Sequence, residues 1–445
     1  MKITFVIPNL AGGKHFLQPP LDTLYSLAYL KSEGYECNFI DNRVNRLSFD
    51  ELIKTLPKSD VFVVNTAPYD FSQMYHFDYR LSYSIATADK IKQNNPDIPL
   101  VLTGIHVNVQ PKQMLTSTNA DVAVLGEVEK TIVELMKAIE ERKPLESVSN
   151  LVLRDGNNSF LTKKDMKLAR PSLDGIMMPD YGAIDFEDYY GYELVGDKFR
   201  RVSRWGIVLG SRGCPYSCNF CHNFWGNEAR YRSVDSVVEE VEILDKQHGV
   251  KNLFFLDPNF TINRIWAKEI ADGIKDRGVQ LPWSIQTRFN LVDSDTLDHL
   301  ANAGCRQIFY GLESYNDDVL QRMDKKITTA LVNEVVGLTK SKGITPFMFI
   351  MLGAPGETKK GIRRTVDFLR SEEVPYIAIV YGPRFGTEFQ RQHQHNYRQE
   401  MGWQDLLNSK GIIDNEIDDL YLAKVVRYLR KQNVLRSKGE ISELK

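Results

Sequence analysis

The chain has 445 residues, room for about two or three domains, and its composition is that of a globular protein. Its 56 Lys and Arg residues nearly balance 58 Asp and Glu residues, so its charge gives no reason to expect nucleic acid or an anionic membrane as a partner. No apolar run is long enough to cross a bilayer, and the N-terminus lacks the features of a signal peptide, so a cytoplasmic location is expected.

The first 145 residues alternate short apolar runs with segments of helical spacing. Buried strands are predicted at residues 3–7, 38–40, 61–65, 100–103 and 122–125. Helices are predicted between them, at residues 21–34, 49–55, 82–94 and 129–141. This alternation predicts a doubly wound, flavodoxin-like parallel sheet over residues 1–145, with ligands bound at the carboxyl ends of its strands.

Residues 146–200 lack clear periodicity and are expected to form a linker, after which the alternation resumes. Strands are predicted at residues 206–210, 252–256, 283–286, 307–311, 346–351 and 377–381. Helices are predicted at residues 233–248, 265–277, 294–303, 317–323, 328–342 and 359–371. We therefore expect a partial (β/α)6 TIM-type barrel over residues 201–385, and a small helical region over 386–445 with an amphipathic helix at 417–436.

Three of the five cysteines, Cys214, Cys218 and Cys221, follow the first predicted barrel strand. An odd number of cysteines with three so close together is a poor disulfide framework and is typical of a metal or redox site. Three thiolates can hold three irons of a [4Fe–4S] cubane and leave the fourth iron open. The alternative is a zinc site with His222 as the fourth ligand, but His222 adjoins Cys221, which makes tetrahedral closure awkward.

Further motifs follow the later barrel strands. They are Leu256-Asp257-Pro258-Asn259-Phe260, Gln286-Thr287-Arg288, Gly311-Leu312-Glu313-Ser314 and Leu352-Gly353-Ala354-Pro355-Gly356-Glu357-Thr358. Together with the CX3CX2C spacing and the aromatic Phe220, they resemble the motifs of the radical S-adenosylmethionine (SAM) superfamily. The resemblance implies a [4Fe–4S] cluster whose open iron chelates SAM, and release of a 5′-deoxyadenosyl radical.

The resemblance also suggests which residues contact SAM. They are Asp257 for the amino group, Arg288 for the carboxylate, Glu313 and Ser314 for the ribose, Gly353 for adenine or ribose, and Phe220 over the cluster and adenine. Structural alternatives are a surface salt bridge for Arg288, an ion pair at the barrel mouth for Glu313, and a turn for Gly353. Lys325 and Lys326 are expected to be a solvated charge pair, with a SAM contact as the alternative.

The N-terminal sequence resembles the cobalamin-binding domain that precedes the radical SAM domain in class B methylases. The similar segments are Pro19-Pro20-Leu21, Thr103-Gly104-Ile105-His106 and Gly126-Glu127, with departures from the family pattern at Thr103 and Val128. The resemblance implies cobalamin contacts at Thr66, Thr103, Gly104, Gly126 and Glu127. No histidine stands in an Asp-x-His-x-x-Gly context, so cobalamin is expected without a histidine ligand. The alternative is a flavodoxin-like domain without a ligand.

The leading hypothesis is a cobalamin-dependent radical SAM methyltransferase that methylates an unactivated carbon of a small molecule or peptide. An electron donor such as flavodoxin or ferredoxin is expected as a partner. One alternative is a cobalamin-dependent radical SAM enzyme that performs cyclisation, ring rearrangement or oxidation without methyl transfer. Another is a non-catalytic protein that binds a metal or a corrinoid. The sequence does not separate the first two.

Overall fold

The computed structural model describes residues 1–9, 16–69, 73–156, 158–165, 170–195, 198–381, 387–388, 391, 417 and 421–429. These residues belong to two units, one formed by residues 1–191 with 203–207 and the other by residues 192–202 with those from 208 onward. The boundaries of the four regions expected from the sequence stay a prediction.

The first unit contains a seven-stranded sheet in the order β2-β1-β3-β4-β5-β6-β7. Its strands are β1 (Lys2–Ile7), β2 (Glu36–Asp41), β3 (Val61–Asn65), β4 (Leu100–Thr103), β5 (Val122–Val124), β6 (Leu151–Asp155) and β7 (Asn158–Leu161). The first five strands pair in parallel, and β6 and β7 continue the sheet in antiparallel pairing. The order 2-1-3-4-5 is the doubly wound arrangement predicted from the sequence, and it opens a ligand crevice where β1 meets β3.

Helices cover the sheet because each has one buried face. They span Leu21–Ser32, Asn42–Asn45, Phe49–Thr55, Gln73–Asn94, Ile105–Val109, Pro111–Thr116 and Val128–Glu140. In the last of these, Ile132, Leu135 and Met136 are fully buried at helical spacing. The sheet also extends beyond residue 145, because the apolar residues 151–153 of β6 are buried against β5.

The other sheet has six strands that follow chain order, as expected for a partial barrel, and five of the six lie wholly in the second unit. The six strands are β10 (Trp205–Val208), β13 (Asn252–Phe255), β14 (Trp283–Thr287), β15 (Cys305–Glu313), β16 (Thr345–Leu352) and β17 (Tyr376–Val380). Two short pairs complete the strands, β8 (Tyr190–Val195) with β9 (Lys198–Ser203), and β11 (Ser211–Arg212) with β12 (Arg230–Tyr231). From β13 to β17 each strand pairs in parallel with the next, so the carboxyl ends share one edge.

The helices between these strands begin at side-chain caps. They span Val234–Lys246, Arg264–Asp276, Ser294–Asn302, Asp317–Arg322, Thr329–Ser341 and Lys359–Ser371. The capping residues are Ser233, Asn263, Asp293, Asn316, Thr328 and Thr358, whose side chains accept a hydrogen bond from a backbone N–H of the first turn. Each cap stabilises its helix by about 1 kcal/mol.

Short 3-10 helices lie at Leu145–Ser147, Tyr181–Ala183, Phe186–Asp188 and Phe289–Leu291. Within the predicted C-terminal helix, residues 421–429 are helical, and most of its remaining length lies outside the described residues. None of the helices in the described ranges combines the length and apolar character needed to span a bilayer.

Candidate functional site

The cysteine motif lies on a loop whose two ends are joined at its base. Antiparallel pairing brings Arg212 opposite Arg230, and the backbone N–H of Cys214 donates to the Gly226 carbonyl at 3.0 Å. Gly213 has a φ of +90°, and a Cβ at this position would lie 1.9 Å from the Glu228 carbonyl oxygen. The loop base therefore requires glycine at residue 213 for both conformation and space.

The three cysteine side chains differ in exposure. Cys214 and Cys218 are half-buried and Cys221 is exposed, and none of the three forms a disulfide. Burial raises the pKa of the Cys214 thiol. In the described part of the chain, no group of three or more His, Cys, Asp or Glu side chains is arranged to hold a metal ion. The ligand role of the three cysteines therefore stays a prediction, supported by three thiols on one loop.

Two side chains from neighbouring strand ends donate hydrogen bonds to cysteine sulfurs. Asn259 Nδ2 lies 3.1 Å from Cys214 Sγ, and Arg288 Nη1 lies 3.0 Å from Cys218 Sγ. Such donors favour the thiolate form, which is the form that binds iron. The surroundings of these sulfurs therefore fit an iron–sulfur cluster. Sequence analysis missed the contact of Asn259, although it lies in a motif that was singled out.

His222, the fourth ligand of the zinc alternative, packs on an aromatic ring. Its ring centroid is 4.0 Å from that of Phe224, and burial lowers its pKa to about 4. The described residues give no metal-binding group that includes this imidazole. This absence applies to the cluster and to the zinc site alike, so it does not choose between them.

Asp257 lies in the interior at the end of β13, with no measurable exposure. Its Oδ1 accepts a hydrogen bond from Ser211 Oγ at 2.5 Å, and its Oδ2 accepts one from the Gly210 backbone N–H at 3.1 Å. Burial raises its pKa to about 6. These contacts connect the chain after β10 to the end of β13, so a structural role accounts for Asp257, and its contact with SAM stays a prediction.

Arg288 follows β14 and is only 4% exposed. Besides Cys218 Sγ, its guanidinium donates to the Lys325 carbonyl and, at 3.4 Å, to Asn290 Oδ1. Its carbon Cζ lies 4.1 Å from the centroid of the Tyr216 ring. The surface salt bridge considered as an alternative is thus not what the structure shows, because Arg288 is buried beside the cysteine loop.

Glu313 ends β15 with a left-handed φ of +65° and forms a buried ion pair. Lys325 Nζ lies 2.6 Å from Glu313 Oε1 and 5.5 Å from the centroid of the Phe220 ring. The expectation that Lys325 is a solvated charge is wrong, since Lys325 is 5% exposed. Glu313 therefore forms the ion pair that was considered as its structural alternative. Phe220 packs against the buried cluster that contains Met323 and Met351.

Ser314 and Glu357 form a second buried contact at this edge. Ser314 Oγ donates to Glu357 Oε1 at 3.0 Å, and burial raises the pKa of Glu357 to about 7. Gly353 has a φ of +86°, and a Cβ there would lie 2.6 Å from Leu422 Cδ1. The requirement for glycine at residue 353 is therefore explained by contacts within the chain.

In the first unit, the predicted residues cluster at the carboxyl ends of β3, β4 and β5. Thr66 Oγ1 donates to the Thr103 carbonyl at 2.8 Å. Asn108 links Gly104 to Gly126. Its Nδ2 donates to the Gly104 carbonyl at 3.2 Å, and its Oδ1 accepts from the Gly126 N–H at 2.7 Å. Asn108 was not predicted, and nothing in its spacing singled it out.

The requirement for glycine at residue 104 also has an internal explanation. Gly104 has a φ of +97°, and a Cβ there would lie 2.3 Å from Asn65 Oδ1 and 2.9 Å from Ala67 backbone atoms. The close approach is thus made by the loop after β3. Glu127 is buried at the start of the helix Val128–Glu140.

A polar network missed by sequence analysis lies beside these residues. Asn65 Nδ2 donates to Asp22 Oδ2 at 3.0 Å and to Thr23 Oγ1 at 2.9 Å, and burial raises the pKa of Asp22 to about 6. Asn65 Oδ1 is buried without a hydrogen-bond partner among the residues that the structure describes. This buried acceptor lies at the end of a central strand, the region where doubly wound sheets bind ligands.

Two family models match the chain. The B12 binding domain matches residues 15–136, and the radical SAM superfamily matches residues 208–369. The first match covers most of the flavodoxin-like sheet, and the second covers the cysteine loop and four of the motifs after barrel strands. The predicted cofactors, a [4Fe–4S] cluster, SAM and cobalamin, are confirmed by these matches.

Similar proteins were found by sequence and by structure. An uncharacterized methyltransferase of Pyrococcus horikoshii is 28% identical over 85% of this chain and 80% of its own length. The anaerobic magnesium-protoporphyrin IX monomethyl ester cyclase of Cereibacter sphaeroides is 30% identical over 82% of this chain and 59% of its own length. The radical SAM methyltransferase TsrM of Kitasatospora setae, solved with cobalamin and a [4Fe–4S] cluster, has a TM-score of 0.73 at 19% identity, covering 89% of this chain and 78% of that one. The structural similarity confirms the predicted fold.

Proposed function

We propose that this chain is a cobalamin-dependent radical SAM methyltransferase. It matches the B12 binding domain over residues 15–136 and the radical SAM superfamily over residues 208–369. The observation that carries the proposal is the presence of both cofactor-binding folds in one chain. The sequence similarity to a methyltransferase over most of both chains supports the same activity.

We assign the cluster to Cys214, Cys218 and Cys221. When bound, the cluster, SAM and cobalamin supply a 5′-deoxyadenosyl radical and a transferable methyl group. The chain places the thiols on a loop closed at its base and directs hydrogen bonds from Asn259 and Arg288 at two of them. The protein thus supplies the position of the ligands, while the cofactors supply the reactivity.

The SAM contacts at Asp257, Arg288, Glu313, Ser314 and Gly353 are part of the proposal. Glu313 and Ser314 are consecutive residues at the end of β15. Glu313 pairs with Lys325, and Ser314 donates a hydrogen bond to Glu357. Cobalamin is assigned to Thr66, Thr103, Gly104, Gly126 and Glu127, at the strand ends where a doubly wound sheet binds ligands. The substrate is a small molecule or peptide, and the electron donor is a protein such as flavodoxin or ferredoxin. We place the enzyme in the cytoplasm, because cluster thiols need a reducing compartment.

The test is anaerobic reconstitution of the full chain with iron, sulfide and cobalamin. We expect about four irons per chain, as a single cubane requires. With methyl-labelled SAM and a reductant, S-adenosylhomocysteine should appear together with 5′-deoxyadenosine. Replacing Cys214, Cys218 and Cys221 with Ala should remove the iron and all SAM cleavage. About one zinc per chain and no iron-dependent absorption would contradict the proposal.

The second candidate is radical chemistry without methyl transfer. The similarity to a cyclase at 30% identity supports this alternative, although this chain spans 59% of that protein. Formation of 5′-deoxyadenosine without S-adenosylhomocysteine, in protein that holds cobalamin, would select it. A reconstituted protein that never cleaves SAM would instead indicate the non-catalytic alternative.

A further inference from the structure

Two hydrogen-bond donors reach the cysteine loop from outside it. Asn259 comes from the loop after β13, and Arg288 comes from the loop after β14. Each donates a hydrogen bond to a different sulfur. Asn259 bonds Cys214 Sγ at 3.1 Å, and Arg288 bonds Cys218 Sγ at 3.0 Å. Because both donors belong to neighbouring strands of one sheet, the barrel fixes their positions relative to each other.

The guanidinium of Arg288 is held on several sides. Its remaining bonds go to the Lys325 carbonyl and to Asn290 Oδ1, and its Cζ stacks 4.1 Å from the centroid of the Tyr216 ring. Moving the guanidinium away from Cys218 would disturb these contacts together. The positive charge is thus held beside a cluster ligand in a buried position, where electrostatic interactions are weakly screened.

Donors and positive charge near cluster sulfurs favour the reduced cluster. One-electron reduction adds negative charge that is shared with the cysteine sulfurs, so a hydrogen bond to a sulfur strengthens in the reduced state. The amide dipole of Asn259 and the full charge of Arg288 act in the same direction. Both residues should therefore raise the reduction potential.

We infer that Asn259 and Arg288 are positioning residues that set the reduction potential of the cluster through hydrogen bonds to the sulfurs of Cys214 and Cys218. The inference rests on the cluster assigned in the proposed function. For Arg288 this role is separate from, and compatible with, the SAM contact included in the proposed function.

The test is a redox titration of the reconstituted full chain, without SAM, in which EPR measures the reduced cluster. Asn259→Ala and Arg288→Gln should each lower the potential, with at least a tenfold change in the ratio of oxidised to reduced cluster, which is 59 mV for one electron. Asn259→Asp should lower it further, because a carboxylate places negative charge beside the sulfur. Arg288→Lys, which keeps the charge, should lower it less than Arg288→Gln.

Asn223→Ala is the matched control. Asn223 Nδ2 also bonds Cys214, but to its carbonyl oxygen at 2.6 Å, so this variant disturbs the same residue without touching the sulfur. Its potential should equal that of the wild type. Unchanged potentials in Asn259→Ala and Arg288→Gln at full iron content would overturn the inference. A loss of SAM affinity in Arg288→Gln without a change in potential would leave Arg288 with the SAM contact alone.

Two further outcomes are distinguishable. If the wild type assembles no cubane, the proposed function fails. If every variant at Asn259 and Arg288 loses its iron while Asn223→Ala keeps it, the two residues are structural and the inference is overturned.

Discussion

Lys325 Nζ lies 2.6 Å from Glu313 Oε1, and both side chains are buried at the carboxyl edge of the second sheet. The backbone carbonyl of Lys325 also accepts a hydrogen bond from Arg288. One lysine therefore links the end of β15 to the loop after β14. The residue expected to be a solvated charge connects two motifs that were recognised separately.

Breaking this ion pair should destabilise the protein strongly. Lys325→Met leaves the Glu313 carboxylate buried without its cation, which typically costs about 3–5 kcal/mol. The double variant Lys325→Met with Glu313→Gln should recover part of that loss. Lys340→Met is the control, because Lys340 pairs with Glu372 at 2.8 Å near the surface, where a pair contributes about 0–1 kcal/mol. Urea denaturation measures the effect, and equal losses at Lys325 and Lys340 would contradict it.

Stability should depend on pH through Glu357. Burial raises its pKa from 4.5 to about 7, so the folded protein holds a proton that the unfolded chain has released in this range. The free energy of unfolding should therefore be highest below pH 4.5 as far as this group is concerned, and should fall as the pH rises to about 7. The slope is at most about 1.4 kcal/mol per pH unit.

Glu357→Gln tests this dependence, because the amide keeps the shape and can still accept the Ser314 hydrogen bond. Denaturation midpoints of the variant should vary less with pH between 5 and about 7 than those of the wild type. Asp257 and Asp22, whose pKa values are both raised to about 6, leave a residual slope of the same sign. A parallel pH profile for variant and wild type would rule out the assignment.

Gly104→Ala should disrupt the strand ends of the first unit. The new Cβ would collide with Asn65 Oδ1 and with the backbone of Ala67, so the loop after β3 must shift. Gly34→Ala is a matched control, because Gly34 has a φ of +88° and nothing within 4 Å of the added Cβ. Gly34→Ala should carry only the strain of a left-handed residue, about 1–2 kcal/mol.

Cobalamin titration and thermal unfolding distinguish the two glycine variants. Gly104→Ala should unfold at a lower temperature than Gly34→Ala and should lose cobalamin binding, whereas Gly34→Ala should keep it. Equal stability of the two variants would contradict the prediction, because the loop after β3 would then have moved to admit the new Cβ with no loss of stability.

Bound cobalamin should lack a histidine ligand from the protein. His15 and His106 are the two histidines near the predicted strand ends of the N-terminal domain. His106 is buried, and His15 lies outside the described residues. The Co(II) EPR spectrum should be that of base-off cobalamin, without coupling to an imidazole nitrogen. The double variant His15→Gln with His106→Gln should leave the spectrum unchanged, and a change in nitrogen coupling would identify a histidine ligand.

Hydrophobic patterning predicted the sheets well. Residues 61–65, all buried, were predicted as a strand and form β3, and residues 307–311 lie within β15. Such runs are informative because a parallel strand covered on both faces must be apolar throughout. The apolar residues 151–153 were missed as a strand, because β6 lies in a stretch rich in turn-forming residues.

The site was predicted in its motifs and not in its contacts. The spacing of Cys214, Cys218 and Cys221 locates the loop, but it does not reveal that Asn259 and Arg288 reach the sulfurs. Those contacts join residues separated by 45 and 70 positions, and only the barrel brings them together. Likewise, a glycine in a motif does not show what requires it. The contacts within the chain that require Gly104 and Gly353 appear only in the structure.

The closed base of the cysteine loop has a consequence for metal uptake. Because the β11–β12 pairing and the bond from Cys214 to Gly226 already join the loop ends, the entropy of closing the loop is lost when the chain folds. Iron binding therefore needs to order less of the chain. A zinc finger differs, because that domain folds only when it binds its metal. Oxidative loss of the cluster should accordingly leave a folded apoprotein that takes up iron and sulfide again.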